Sequence, residues 1–132
     1  MDTNPYADTR YQQAKDNLSA LLTAMRTKDM ASFITIVEEE ALTLHALMMC
    51  SRPSYTLLKP NTLTAIEKIR KFRKETNIPI TFTLDAGPNM HVLYPDEYKA
   101  AAFQFVTDHL VDLTESGLMI RDKVGVGPKR LI

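Results

Sequence analysis

The apolar residues of this chain change from a helical to an alternating period at Asn77-Ile78-Pro79, and that change limits what the chain can fold into. Before it they recur at three- and four-residue spacing, the pattern of helices with one buried stripe. After it they alternate. Ile80, Phe82 and Leu84 point one way and Thr81, Thr83 and Asp85 the other, as in a strand with one buried face. Helices followed by strands predict an α+β fold, with helices packed on a small, mainly antiparallel sheet.

Three helices are expected ahead of the switch. The first carries Tyr11, Ala14, Leu18, Leu21, Leu22 and Met25 as its apolar stripe. The second starts after Asp29, a suitable N-cap, with Phe33, Val37, Ala41, Leu44 and Met48 as its core face. Ser51-Arg52-Pro53-Ser54 ends it, because proline cannot continue a helix. The third opens near Asn61 or Thr62 and turns Leu63, Ile66, Ile69 and Phe72 inward. Its other face, with Lys68, Arg70, Lys71, Arg73 and Lys74, reads as a solvated surface rather than a phosphate-binding patch.

Beyond the switch, Ala86-Gly87-Pro88-Asn89 is turn chemistry, and residues 90–94 supply a second strand, so the two strands form a hairpin. A fourth helix starts at Pro95-Asp96 with Asp96 as N-cap. Tyr98, Ala102, Phe105, Val106, Leu110 and Leu113 face inward, and Gly117 provides the stop. Residues 118–124 read as a last strand. The expected order is α-α-α-β-β-α-β. Three strands make a thin sheet, and Pro5-Tyr6 runs straight into a helix, so the chain reads as a single domain from a larger parent.

At 132 residues, 45% of them hydrophobic, the chain can bury a core without disulfides or a structural metal. Sixteen Lys and Arg balance sixteen Asp and Glu, which gives no basic excess and argues against a nucleic-acid partner. One cysteine, Cys50, allows no intrachain disulfide and fits a reducing, cytoplasmic setting. No apolar run approaches the ~20 residues that span a bilayer, so no membrane association is expected.

Few residues could carry chemistry. His45, His91 and His109 lack partners at metal-site spacing, so no metal site is expected. His45 and His109 lie in apolar helical stretches and read as core or interface residues, and Cys50 reads as a buried, inert thiol. His91, just past the turn, is a weaker candidate for lining a site. Glu38-Glu39-Glu40 point in different directions on a helix and cannot converge on one ion, so they read as a solvated face. Asp85 differs. It ends a strand away from the apolar face, beside a Gly-Pro turn in a chain with only four glycines. Residue types alone leave two readings open: a general base held on a rigid element, or a plain hairpin in which Asp85 and Asn89 bond the turn backbone.

Thr83-Leu84-Asp85-Ala86-Gly87-Pro88-Asn89 resembles the Asp-Ala-Gly-Pro-Asn signature of mevalonate diphosphate decarboxylases, of the GHMP kinase superfamily. Ala41-Leu42-Thr43-Leu44-His45-Ala46, the Ser51-Arg52-Pro53-Ser54-Tyr55 break and Val124-Gly125-Val126-Gly127-Pro128 are similar to flanking segments of that family, in order. The resemblance implies the ferredoxin-like C-terminal domain of a two-domain enzyme. It also implies that Asp85 is the catalytic base for the tertiary hydroxyl of mevalonate 5-diphosphate, with Ala86, Gly87 and Asn89 shaping the substrate wall. ATP and Mg2+ would then be bound mainly by the N-terminal domain. The glycine- and serine-rich ATP loop and the groups that grip the diphosphate have no counterpart here, so this chain alone is expected to bind no cofactor and turn nothing over. The remaining expected partners are the N-terminal domain and a second copy in a homodimer. Two alternatives stay open: another GHMP small-molecule kinase, and a stand-alone dimerisation or binding module.

Overall fold

We describe the protein from a computed structural model, in which residues 4–85, 89–114 and 119–120 are described. Helix α1 spans Ala7–Thr27, α2 Met30–Met49 and α3 Pro60–Thr76. Strands β1 (Thr81–Leu84) and β2 (Met90–Leu93) pair antiparallel, with Thr81 opposite Leu93 and Leu84 opposite Met90. A 3-10 turn at Asp96–Tyr98 leads into α4 (Lys99–Phe105), which continues through a wider π turn at Val106–Leu110 and a 3-10 turn at Val111–Leu113. The fold is α+β, as the period switch predicts. The strand expected over residues 118–124 and the stop at Gly117 fall largely outside the described residues.

Local chemistry explains the boundaries. Lys28 ends α1 in the left-handed region at φ 56°, and its N–H caps the carbonyls of Ala24 and Met25. Asp29 then caps α2 as expected, its carboxylate accepting from the Ser32 N–H at 3.2 Å. Helix α3 opens at Pro60, slightly ahead of the expected Asn61 or Thr62, because proline suits a first helical turn whose N–H groups are unpaired anyway. Asn77, at φ 57°, closes it before Ile78-Pro79. Asp96 caps no helix with its side chain; it lies inside the 3-10 turn, which follows Pro95.

The core lies between α2, α3, β1 and α4. Ala41, Ala65, Ile66, Ile69, Ile80, Phe82, Leu84, Ala102, Phe105 and Leu110 form one buried cluster, with Phe72 stacked on Phe105 at 4.2 Å between ring centroids. Each fully buried large side chain of this kind contributes roughly 1.5–3 kcal/mol by leaving water. Asn61 donates to the Leu113 carbonyl and Lys68 to that of His109, fastening α3 to the end of the α4 stretch.

Several expected faces are corrected. In α2 the buried stripe is Ile34, Glu38, Ala41, His45 and Met48, so the helix is turned about one position from the expected Phe33-Val37-Ala41-Leu44-Met48 face. The reason is position: α2 lies between α1 and β1 and is covered on two sides. In α1 the expected stripe is largely outward, with Tyr11, Leu18, Leu22 and Met25 exposed. Ala24 is buried instead, since α1 meets α2 through small side chains and polar bridges from Arg10, Gln13 and Asn17. Leu63 is exposed, its place on α3 being taken by Ala65. Thr81, expected on the open face of β1, is buried. Cys50 is exposed at the C-terminus of α2, where the chain leaves the core, and His109 is exposed beside Phe105.

Candidate functional site

The site is built at the end of β1. The hydrogen-bonded ladder stops at the Leu84–Met90 pair, and Asp85 is the next residue. Alternation takes its side chain away from Phe82 and Leu84, which are buried, and leaves it 48% exposed at the rim of the domain. A carboxylate there can meet a ligand from solvent while its backbone continues a packed strand.

Two histidines bracket Asp85. His91 stands on β2 opposite Thr83, diagonally across from Asp85, and its Nε2 lies 3.8 Å from Asp85 Oδ2. At 60% exposure it adds a charge to this rim only when protonated. His45 reaches Asp85 from behind. It is the only histidine buried among the described residues, 2% exposed on α2, and its Nε2 is 2.9 Å from the main-chain carbonyl oxygen of Asp85. A carbonyl oxygen can only accept, so Nε2 carries the proton and donates it. Nδ1 is buried and makes no hydrogen bond among the described residues.

The other end of β1 is held by charge. Arg73 Nη1 donates to the Ile80 carbonyl at 2.9 Å, and the guanidinium grips the buried Glu38 carboxylate through two hydrogen bonds of 2.8 and 3.2 Å. Arg70 lies 3.9 Å from the same carboxylate and 5.7 Å from the centre of the Phe82 ring. Thus Glu38, Arg70 and Arg73, expected on solvated faces, form a partly buried ion cluster; Lys71 and Lys74 remain exposed. Glu40 is half-buried and paired with Arg10, and Glu39 is exposed beside Gln13. Burial would raise the Glu40 carboxyl, but hydrogen bonds from Arg10 and Asn17 and the charge of Arg10 outweigh it and hold the group below its ordinary value.

Of the residues expected to form the site, the structure describes Asp85 and an exposed Asn89 at the two ends of the turn. Ala86 and Gly87 lie outside the described residues. His45 has a part in this site that the sequence did not reveal. The signal was present, since Ile34, Glu38, Ala41, His45 and Met48 follow a four-three spacing, but nearly every face of α2 is apolar and hides its phase. Among the described residues no three His, Cys, Asp or Glu side chains converge as metal ligands, and no helix is long and apolar enough to cross a membrane.

The family model for the mevalonate 5-diphosphate decarboxylase C-terminal domain matches residues 1–129. The chain belongs to that family. Its fold superimposes on a mevalonate diphosphate decarboxylase from Legionella pneumophila with a TM-score of 0.77 and 37% identity, over 83% of this chain and 35% of that one. The mevalonate diphosphate decarboxylase from Enterococcus faecalis, solved in a study of ATP binding mediated by mevalonate diphosphate, gives a TM-score of 0.76 at 28% identity. That match covers 85% of this chain and 35% of the other. A phosphomevalonate decarboxylase of Haloferax volcanii is 24% identical over 85 residues, 64% of this chain and 26% of that protein. The chain therefore spans about a third of the length of the solved relatives and about a quarter of the curated one.

Proposed function

We propose that this chain is the substrate-side C-terminal domain of an ATP-dependent mevalonate 5-diphosphate decarboxylase, with Asp85 as the base for the tertiary hydroxyl. The observation that carries the reading is the place of Asp85: half-exposed at the open end of β1, inside the Asp-Ala-Gly-Pro-Asn run, on a backbone tied into the core by His45. A tertiary alcohol is a weak nucleophile, and a carboxylate that takes its proton as the phosphoryl group arrives lowers the barrier. Phosphate and carbon dioxide then leave, giving isopentenyl diphosphate. Ala86, Gly87 and Asn89 line the substrate side of the turn in this proposal.

ATP and Mg2+ belong, in the same proposal, to an N-terminal domain that this chain does not supply. In this reading the chain contributes the proton acceptor and the substrate wall. Phosphoryl transfer depends on positioning and charge stabilisation, and the isolated chain accordingly has no turnover. The proposed setting is the cytoplasm and the proposed assembly a homodimer, for which the outward stripe of Tyr11, Leu18, Leu22 and Met25 on α1 is available.

The test is Asp85→Asn in the enzyme that joins this domain to its ATP-binding domain. Carbon dioxide release should fall by roughly 10²–10⁴-fold while nucleotide binding is retained, the range typical of removing a general base. A variant that works like wild type removes the proposal. A second reading, with phosphomevalonate as substrate, is favoured by the Haloferax relative. Assaying both substrates side by side separates the two, and a stable phosphorylated product without carbon dioxide would instead indicate a kinase.

A further inference from the structure

We propose that His45 is a positioning residue for this reaction, setting the direction in which the Asp85 carboxylate leaves the end of β1. The inference rests on the reading of Asp85 as the base and goes beyond it to the residue that aims the base.

The geometry follows from which side of Asp85 is held by what. On its N-terminal side the backbone is fixed by the ladder, which ends at Leu84 opposite Met90, and by Leu84 itself, buried in the core. On its C-terminal side the ladder gives nothing, because Asp85 lies beyond the last pair. The His45 Nε2–H holds the Asp85 carbonyl, 2.9 Å away. With the preceding peptide held by the strand and the following carbonyl held by His45, both planes that meet at the Asp85 Cα are set. The Cα–Cβ direction is then set too, and only the two side-chain torsions remain to be chosen.

His45 is suited to act as the fixed point. It sits on a 20-residue helix about one turn before its end, is 2% exposed, and lies one turn beyond Ala41, a member of the main core cluster. Its hydrogen bond spans forty residues of sequence, so it ties the catalytic end of the hairpin to a separate element rather than to its own turn. A base must be held within about 0.5 Å of its working position, and a displacement of about 1 Å can cost on the order of 10²-fold in rate.

The experiment uses the two-domain enzyme with His45→Phe, His45→Gln and Asp85→Asn. Phenylalanine fills the space without a donor, whereas the glutamine amide nitrogen reaches about as far as imidazole Nε2 and restores one. We expect His45→Phe to lose about 10–100-fold in kcat while KM for the substrate stays within about threefold, because Asp85 acts on the bound hydroxyl rather than on affinity. His45→Gln should recover most of that kcat even though it melts no higher than His45→Phe, since an amide suits the apolar surroundings less well. Activity that tracks melting temperature instead of the donor overturns the inference, as does a His45→Phe enzyme with unimpaired kcat beside an inactive Asp85→Asn. An active Asp85→Asn enzyme overturns the base reading itself. Should His45→Phe fail to fold, nitrogen-15 spectra of wild-type histidines decide the matter. A slowly exchanging Nε2–H tautomer at His45 supports the bond, and an Nδ1–H tautomer refutes it.

Discussion

Arg73→Met should destabilise the chain far more than Glu38→Leu, although both remove the same ion pair. The asymmetry comes from burial. The Glu38 side chain is 8% exposed and the Arg73 side chain 23%. Without Arg73, the Glu38 carboxylate stays in the interior with only Arg70, at 3.9 Å and itself 48% exposed, as a partial substitute. Stranding a fully buried charge costs about 3–5 kcal/mol, and the screened help from Arg70 lowers this to about 2–3 kcal/mol. The bond from Arg73 to the Ile80 carbonyl is lost as well, adding about 1 kcal/mol. The total of about 3–4 kcal/mol corresponds to a fall of roughly 10–15 °C in Tm for a chain of this size. Glu38→Leu strands Arg73 instead, whose long side chain in the last turn of α3 can swing to water, so about 1 kcal/mol is expected there. The double variant should then be about 1 kcal/mol less stable than Glu38→Leu, through the lost bond to Ile80, a coupling of about 2–3 kcal/mol. Urea unfolding followed by circular dichroism, with unchanged m values, measures all four corners of the cycle. Equal losses in the two single variants, or a double variant equal to their sum, would refute the reasoning.

Further expectations can be checked on the same material. Ile69, fully buried, should lose about 1 kcal/mol on Ile69→Val, measured by the same unfolding curves. Because the folded Glu40 carboxyl lies below its ordinary value, its stabilising contribution is complete above the unfolded value, roughly 4.3, and disappears as pH falls through the folded one. Glu40→Gln should thus be less stable than wild type near neutrality, with the gap closing in acid; a gap independent of pH would contradict this. His91→Gln should change stability by less than about 0.5 kcal/mol, since both partners of the His91–Asp85 contact are well exposed.

The parts of this fold legible in the sequence are those where one face is buried and the other is wet. Ile66 and Ile69 on α3 and Ile80, Phe82 and Leu84 on β1 are buried as their spacing requires. Helix α2 could not be phased in the same way. Apolar residues surround it because it is covered by α1 on one side and β1 on the other, and the side chains that do distinguish its inner face are Glu38 and His45, polar residues that a hydrophobic pattern places outside. Helix α1 misleads in the opposite sense. Its large apolar residues Tyr11, Leu18, Leu22 and Met25 make a regular stripe, yet the buried residue of α1 is Ala24, and the helix is bridged to α2 by Arg10, Gln13 and Asn17 reaching Glu39 and Glu40. Asp85 was visible because strand alternation and the turn beside it mark a strand end. The residue that holds its carbonyl was forty positions away, and nothing local points to it.

The polar contacts of α2 also explain how the strand can be placed accurately by a helix. Glu38 acts near the start of β1, through Arg73 to the Ile80 carbonyl, and His45 acts at its end, on the Asp85 carbonyl. The two contacts follow the same order along helix and strand and are separated by seven helical residues, about 10 Å along the axis. Apolar packing between them, such as Ala41 against the Ile80-Phe82-Leu84 face, would tolerate a small slide of α2 with little loss. The polar contacts would not. A shift by one helical turn, about 5.4 Å, takes both His45 and Glu38 out of bonding range and leaves buried polar groups unpaired at once. A register enforced at two points along the strand holds the end that carries Asp85 more firmly than one contact could, and the carboxylate proposed as the base, at a domain rim, has most need of that restraint.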